Sequence, residues 1–180
     1  MLKEQSSLEG VCLITPQVFA DDRGEFFESY QKKKYSEITK GLEFVQDNVS
    51  VSSKNILRGL HLQNPNSQGK LVQVLQGTVL DVAVDVRPDS SDFSKYQSFE
   101  LSDKNHQQLY IPPGFAHGFL VLSKMAVFHY KCTDFYNKES EITICWDDKD
   151  IAIKWPLKSP LLSAKDKKAL SLKEAAIKLR

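Results

Sequence analysis

Residues 58–87, RGLHLQNPNSQGKLVQVLQGTVLDVAVDVR, decide the fold. From Thr78 to Arg87, the residues Leu80, Val82, Val84 and Val86 share one parity, while Asp81, Ala83, Asp85 and Arg87 share the other. Successive side chains of a strand leave on opposite faces, so this alternation is the pattern of a half-buried strand. One face is expected to be oily and the other polar. Upstream, Arg58, Leu60 and Leu62 alternate with Gly59, His61 and Gln63, which puts His61 and Gln63 on one side of a strand and Arg58 on the other. That strand enters the loop NPNSQG, and Lys70 leaves it at the start of the next strand.

Outward from this stretch the chain is a series of short apolar runs between turn residues. Gly10 to Pro16 and the run around Phe26 and Phe27, separated by the turn DDRG, suit strands near a sheet edge. Gln31 to Lys40 is the first plausible helix, and Phe44 to Val51 is strand-like again. Tyr96 to Leu101 and Gln107 to Ile111 follow, the second ended by Pro112, Pro113 and Gly114. Gly118 to Leu122 and Ala126 to Thr133, joined by the short link SKM, are expected to form a hairpin. Ile142 to Trp146 adds a further strand. Helical composition enters only in LSAKDKKALSLKEAAIKLR, where Ser163 with Asp166 and Ser171 with Glu174 have capping-box spacing. Many short strands and few helices predict a mainly β protein, a sandwich or jelly-roll barrel whose mouth is a usual ligand site.

With 180 residues and 41% hydrophobic content, the chain is expected to form one domain, with a core over about 10–157 and a helical segment over about 158–180. Its 24 basic and 23 acidic residues leave a net charge of +1, which gives no global attraction for nucleic acid or an anionic membrane. Cys12, Cys132 and Cys145 are odd in number and have no metal-like spacing; Cys132 and Cys145 fall in strand-like runs, as buried free thiols in a reducing cytoplasm would. No segment approaches the roughly 18 apolar residues of a membrane span.

Few residues can do chemistry. A lone histidine is more often satisfied inside a core, but His61 is accompanied by Arg58, Gln63 and Lys70, and such a polar cluster on apolar strands costs stability unless it is paired or serves a ligand. His117 lies in PPGFAH, which fits the P-x-G-x-x-H pattern of the second cupin motif. Metal-binding cupins also carry two histidines one residue apart, and here that place holds His61, Leu62 and Gln63. The broken ligand set argues against a metal centre. Tyr130 could simply line a barrel, and Asp166 could simply cap a helix. There is no glycine-rich phosphate loop and no nucleophile elbow.

The strings DDRGEFFE, RGLHLQ, QGKLVQVLQGTVLDVAVDVR, PPGFAHGF, YKCTDFY, WDDKDIAIKWP and LSAKD, in this order, resemble those of the dTDP-4-dehydrorhamnose 3,5-epimerase family. The resemblance spans about Gly10 to Asp166. It implies a cupin-type jelly roll with a short C-terminal helical segment, a homodimer, no metal and no cofactor. The implied reaction inverts C3 and C5 of a dTDP-linked 4-keto-6-deoxyglucose. The implied roles are His61 as base, Asp166 as its partner, Lys70 as enolate stabiliser and Tyr130 as acid. Arg58 and His117 match pocket positions; Arg23, Phe26, Glu28, Gln46, Asn48 and Tyr136 match nucleotide- and sugar-contacting positions, some of them reaching a partner subunit. A single-carbon epimerase, a non-catalytic sugar-binding cupin and a metal-dependent cupin oxygenase are the competing readings.

The chemistry of the implied substrate agrees with these residue types. C3 and C5 are both α to one carbonyl, so one electrophile can acidify both protons. A neutral histidine can accept a proton when a carboxylate holds its tautomer. Inversion then needs a donor on the other face.

Overall fold

The computed structural model describes residues 1–179; Arg180, the last residue of the expected helical segment, lies outside the described residues. The strands in chain order are β1 (Leu2–Gln5), β2 (Cys12–Thr15), β3 (Val18–Asp21), β4 (Gly24–Phe27), β5 (Gln46–Ser53), β6 (Leu57–Gln63), β7 (Lys70–Gln76), β8 (Thr78–Asp85), β9 (Tyr96–Ser102), β10 (Gln108–Ile111), β11 (Phe115–Val121), β12 (Met125–Cys132) and β13 (Glu141–Thr143). Two short helices, α1 (Lys32–Tyr35) and α2 (Leu172–Leu179), complete the regular structure together with brief 3₁₀ turns. β1 and β3 have no counterpart in the sequence reading, which ended the first run at Pro16 and set only the turn DDRG before Phe26. The side chains of β1 are all exposed, so it carries no burial pattern.

The strands pair antiparallel into a sheet of order β1-β2-β10-β7-β12-β5 and a second of order β13-β6-β11-β8-β9, with β3 and β4 paired only to each other. Val72, Val74, Leu109 and Phe128 of the first sheet meet Val79, Ala83, Leu101 and Phe119 of the second in one buried core. Burial of such side chains contributes about 25 cal/mol per Å² of apolar surface, which sets the two sheets face to face. The result is the expected mainly β, cupin-type jelly-roll barrel.

The strand from Thr78 alternates as expected, but neither face is wet. Asp81 and Asp85 are fully buried on the inner face with Val79 and Ala83. Leu80, Val82, Val84 and Val86 pack outward under Ile142, Ile144, Ile151, Leu172 and Ala175. The oily face is thus the seat of the C-terminal segment, and the polar face is the barrel interior. Alternation reports two chemically different environments without saying which is solvent.

The expected hairpin across SKM does not form. β11 pairs with β6 and β8, and β12 pairs with β5 and β7, so the link carries the chain from one sheet to the other. A short link fixes only the nearness of two strand ends, and the partner strands decide the pairing. Helix α1 is also shorter than the expected Gln31–Lys40. Its first turn is three lysines with no acid to complement the N-terminal dipole, and only Tyr35 is buried. Cys12 and Cys132 are buried free thiols, but Cys145 is partly exposed just beyond β13, where its Sγ donates to Asp147 Oδ1 at 2.9 Å. Ser171 and Glu174 do form a capping box at α2, with Ser171 N donating to Glu174 Oε2 at 2.8 Å and Glu174 N to Ser171 Oγ at 3.3 Å. Among the described residues, no helix is long and apolar enough to cross a membrane.

Candidate active site

A cavity of about 350 Å³ lies between the two sheets. Its lining includes Gln46 and Asn48 from β5, Arg58 and His61 from β6, Lys70 from β7, His117 from β11, Tyr130 from β12 and, beyond that strand, Tyr136. Even-numbered residues of β5 and β12 face inward, so Ser50, Phe128 and Cys132 join the wall. The presence of Arg58 corrects the sequence parity, which set it opposite His61. Across β6 and β11, His61 pairs with His117 while Arg58 pairs with Phe119, so positions 58 to 61 face positions 117 to 119. The extra residue is a bulge that turns Arg58 to the same side as His61. It depends on Gly59, whose φ is +139° and where a Cβ would sit 2.5 Å from Gly118 Cα. Arg58 Nε then donates to Ser52 Oγ at 3.0 Å, which holds the guanidinium along the wall.

His61 Nε2–H donates to Asp166 Oδ1 at 2.6 Å. Asp166 comes from a 3₁₀ turn (Asp166–Lys168) and is itself fixed by Ser163, whose Oγ donates to Oδ2 at 2.8 Å and accepts from the Asp166 N–H at 3.1 Å. The suspected cap is therefore real, but it shapes a turn and leaves the second oxygen for His61. Burial pushes the His61 pKa below its ordinary value, against the pull of Asp166 and with the help of Lys165 and Lys70. The ring is therefore neutral at pH 7. With Nε2 engaged, Nδ1 carries no hydrogen bond to any described residue and is the nitrogen free to accept a proton. Burial opposes ionisation of Asp166 too, yet the donors His61 and Ser163 and the charge of Lys165 hold its pKa below the usual carboxylate range.

Lys70 is only 8% exposed. Its Nζ donates to the His61 carbonyl at 3.3 Å, and burial drives its pKa down against the charges around it. Burial likewise raises the pKa of Tyr130, so its phenol keeps its proton at neutral pH. The site thus combines a neutral imidazole from one sheet with a lysine and a protonated phenol from the other. His117 stacks on Phe128 and donates Nε2–H to Asp81 Oδ2 at 2.9 Å.

Arg23, Phe26 and Glu28 are not brought to this cavity. Arg23 and Phe26 lie on the β3–β4 hairpin against a separate shallow depression, Phe26 is 72% exposed, and Glu28 pairs with Lys34 at 2.7 Å. The sequence reading also missed three neighbours. Glu141 and Lys165, paired at 2.7 Å, line the cavity, and Asp81 lies beneath His117. Asp81 had a legible signal, an acid on a valine-rich strand; Glu141 and Lys165 had none. Gln63, at the place of a second metal-binding histidine, is consumed by loops: its amide donates to Asn66 and Phe135 carbonyls at 2.8 and 3.2 Å and accepts from Asn137 N at 2.8 Å. Among the described residues there is no group of three or more His, Cys, Asp or Glu placed to hold a metal ion.

A cupin-type barrel whose cavity gathers proton acceptors and donors, with no nucleophile elbow, defines a class, the cupin-fold isomerases. The family model described as dTDP-4-dehydrorhamnose 3,5-epimerase matches residues 5–174. The Escherichia coli K12 protein of that name is 51% identical over 173 residues, covering 94% of each chain. The Legionella pneumophila epimerase solved in complex with dTDP-4-keto-L-rhamnose is 48% identical with a TM-score of 0.93, covering 96% of this chain and 93% of that one. The Elizabethkingia anophelis dTDP-4-dehydrorhamnose 3,5-epimerase is 49% identical with a TM-score of 0.91, covering 97% of each. The chain belongs to the dTDP-4-dehydrorhamnose 3,5-epimerase family.

Proposed function

We propose that this protein inverts C3 and C5 of a dTDP-linked 4-keto-6-deoxyglucose, yielding the 4-keto sugar precursor of dTDP-L-rhamnose. The observation that carries the reading is the His61–Asp166 pair at 2.6 Å in a cavity whose opposite wall holds Lys70 and Tyr130. His61 Nδ1 removes the proton α to the carbonyl, and Asp166 stabilises the imidazolium that forms. The Lys70 ammonium offsets the charge of the enolate oxygen in a water-poor site. Tyr130 returns a proton to the other face, since return by His61 would restore the starting centre. Repetition at the second α carbon needs no new group.

Arg58, His117, Gln46, Asn48 and Tyr136 hold the sugar and nucleotide around these atoms. Arg23, Phe26 and Glu28 serve the cavity of a second subunit in a homodimer; their distance from the cavity of their own chain and the exposed Phe19 and Phe26 support that arrangement. The whole chain acts as one domain, without metal or redox cofactor, and its three free thiols suit the cytoplasm. Incubation in heavy water with dTDP-4-keto-6-deoxyglucose, followed by NMR of the product, tests the reading. Label at C3 and C5 with inverted configuration supports it, label with inversion at one carbon makes the protein a single-carbon epimerase, and no label at either carbon overturns it.

A further inference from the structure

A hydrogen-bonded relay crosses the outer face of the first sheet, behind the wall that carries Lys70 and Tyr130. Ser29, just beyond the β3–β4 hairpin, accepts at its carbonyl from Gln108 Nε2 at 2.7 Å. The same nitrogen donates to Gln73 Oε1 at 2.8 Å, and Gln108 Oε1 accepts from the Tyr35 hydroxyl at 2.7 Å. Gln73 Nε2 in turn lies 2.9 Å from His129 Nδ1. Gln108, Tyr35 and Gln73 are 0%, 1% and 7% exposed, so no solvent replaces a lost partner.

The relay runs in one direction. A carbonyl only accepts, so the Ser29 oxygen fixes the amide nitrogen of Gln108, which turns Gln108 Oε1 to Tyr35 and a second N–H to Gln73 Oε1. Gln73 must then present N–H to His129, whose Nδ1 has to be bare. A second proton on His129 sets two donors face to face. Turning Gln73 moves the mismatch to Gln108, and turning Gln108 as well moves it to Ser29, where two oxygens meet. The conflict travels along the relay but does not vanish.

Two charged groups face His129: Asp47 on β5, whose Oδ1 lies 3.4 Å from Nε2, and Lys131 on β12, which reaches the two Asp47 oxygens at 2.7 and 3.0 Å. The Tyr30 ring lies 5.0 Å from Lys131 Nζ, and Tyr35, its pKa pushed up to about 12 by burial, stays a donor at the far end. Burial, helped by Lys131 and opposed by Asp47, holds the His129 pKa below its ordinary value. The far end is the base of the arm that carries Arg23, Phe26 and Glu28. We propose that the relay is an acid-sensitive latch: with Nδ1 of His129 bare it fastens this arm at Ser29 and Tyr35, and protonation of His129 releases it. Its effect on turnover rests on the assignment of the arm to a second subunit's cavity; the latch itself does not. His106, 2.9 Å from Glu25 Oε2 on β4, acts in the opposite sense, since a proton there tightens its hold on the hairpin.

The test compares wild type with Gln73→Glu, because a carboxylate accepts both from Gln108 and from a protonated His129. Imidazole ¹⁵N spectra of wild type at neutral pH should show His129 protonated at Nε2 and bare at Nδ1. On acidification through the His129 transition, amide exchange over residues 24–35, corrected for its intrinsic pH dependence, should accelerate roughly 5- to 100-fold, the effect of one buried hydrogen bond left unmade. In Gln73→Glu, His129 should titrate at higher pH and the arm should keep its protection. KM for the dTDP-sugar should rise through the same transition in wild type and not in the variant. A wild-type His129 protonated at Nδ1 overturns the proposal, a result that needs no variant to fold. So does arm exchange that ignores the His129 transition, or that accelerates equally in Gln73→Glu. Release seen in exchange with an unchanged KM keeps the latch and removes the arm from the second subunit's cavity.

Discussion

His61 and His117 are cross-strand partners on β6 and β11, yet each gives its Nε2–H to a different carboxylate. Asp166 reaches His61 from the C-terminal turn, and Asp81 reaches His117 from the neighbouring strand β8. Two like residues side by side are thereby given separate environments. The carboxylate of His61 is supported by Ser163 and feels the charge of Lys165.

His61→Asn should lower kcat by roughly 10²- to 10⁴-fold, the usual contribution of a general base. Binding of dTDP, measured by calorimetry, should change little, because the nucleotide is assigned to other residues. A parallel loss of affinity and rate would point to a structural histidine.

The pH dependence has a definite sign. The base must be neutral, and burial holds the His61 pKa below about 6.5, so kcat/KM should fall only as pH drops below that value. Asp166 works against burial and raises this pKa. Asp166→Asn should therefore move the acid limb to still lower pH and reduce the plateau rate, since the ring becomes a weaker base. Full activity with an unmoved limb would leave Asp166 as a turn cap alone.

Tyr130→Phe should separate exchange from inversion. In heavy water the variant is expected to take up label at C3 or C5 with retained configuration, by back-donation from the His61 imidazolium after exchange with solvent. Wild type should show label together with inversion. Epimerisation of both carbons at the wild-type rate would mean that the acid is another group.

Activity should survive exhaustive dialysis against chelator and need no added nicotinamide. The motivating geometry is Gln63, whose amide is tied to Asn66, Phe135 and Asn137 where a metal-binding cupin would present a second histidine. Loss of activity to chelator with recovery on adding a divalent metal would revive a metal-dependent mechanism.

Gly59→Ala should destabilise the fold by about 1–3 kcal/mol, the scale of a side chain held in an unfavourable backbone region, as read by denaturant unfolding. Any close contact left with Gly118 adds to that. The β6 bulge also aims Arg58, so the folded fraction should bind dTDP-sugar more weakly. Unchanged stability and affinity would show that the bulge tolerates a Cβ.

Much of this protein was determined by its sequence alone. Period-two alternation marks most of the strands, proline and glycine mark their ends, and both depend only on local backbone geometry. The broken cupin metal motif is equally local, since it requires only that Gln63 stand where a histidine would. The ordered family strings located all four residues assigned to proton transfer and enolate stabilisation, and His61, Lys70, Tyr130 and Asp166 do meet in or behind one cavity. Tertiary structure alone decided which face of each strand is interior, because an alternating pattern is the same whether Asp81 meets water or a buried histidine. It also decided that Arg58 joins His61, because a bulge at Gly59 changes parity without changing composition. The pairing of β11 with β6 and β8, and not with β12, was likewise set by facing surfaces far apart in sequence. Glu141 and Lys165 reach the cavity for the same reason: their neighbours there are long-range, and no local pattern encodes a charge that arrives from another part of the chain.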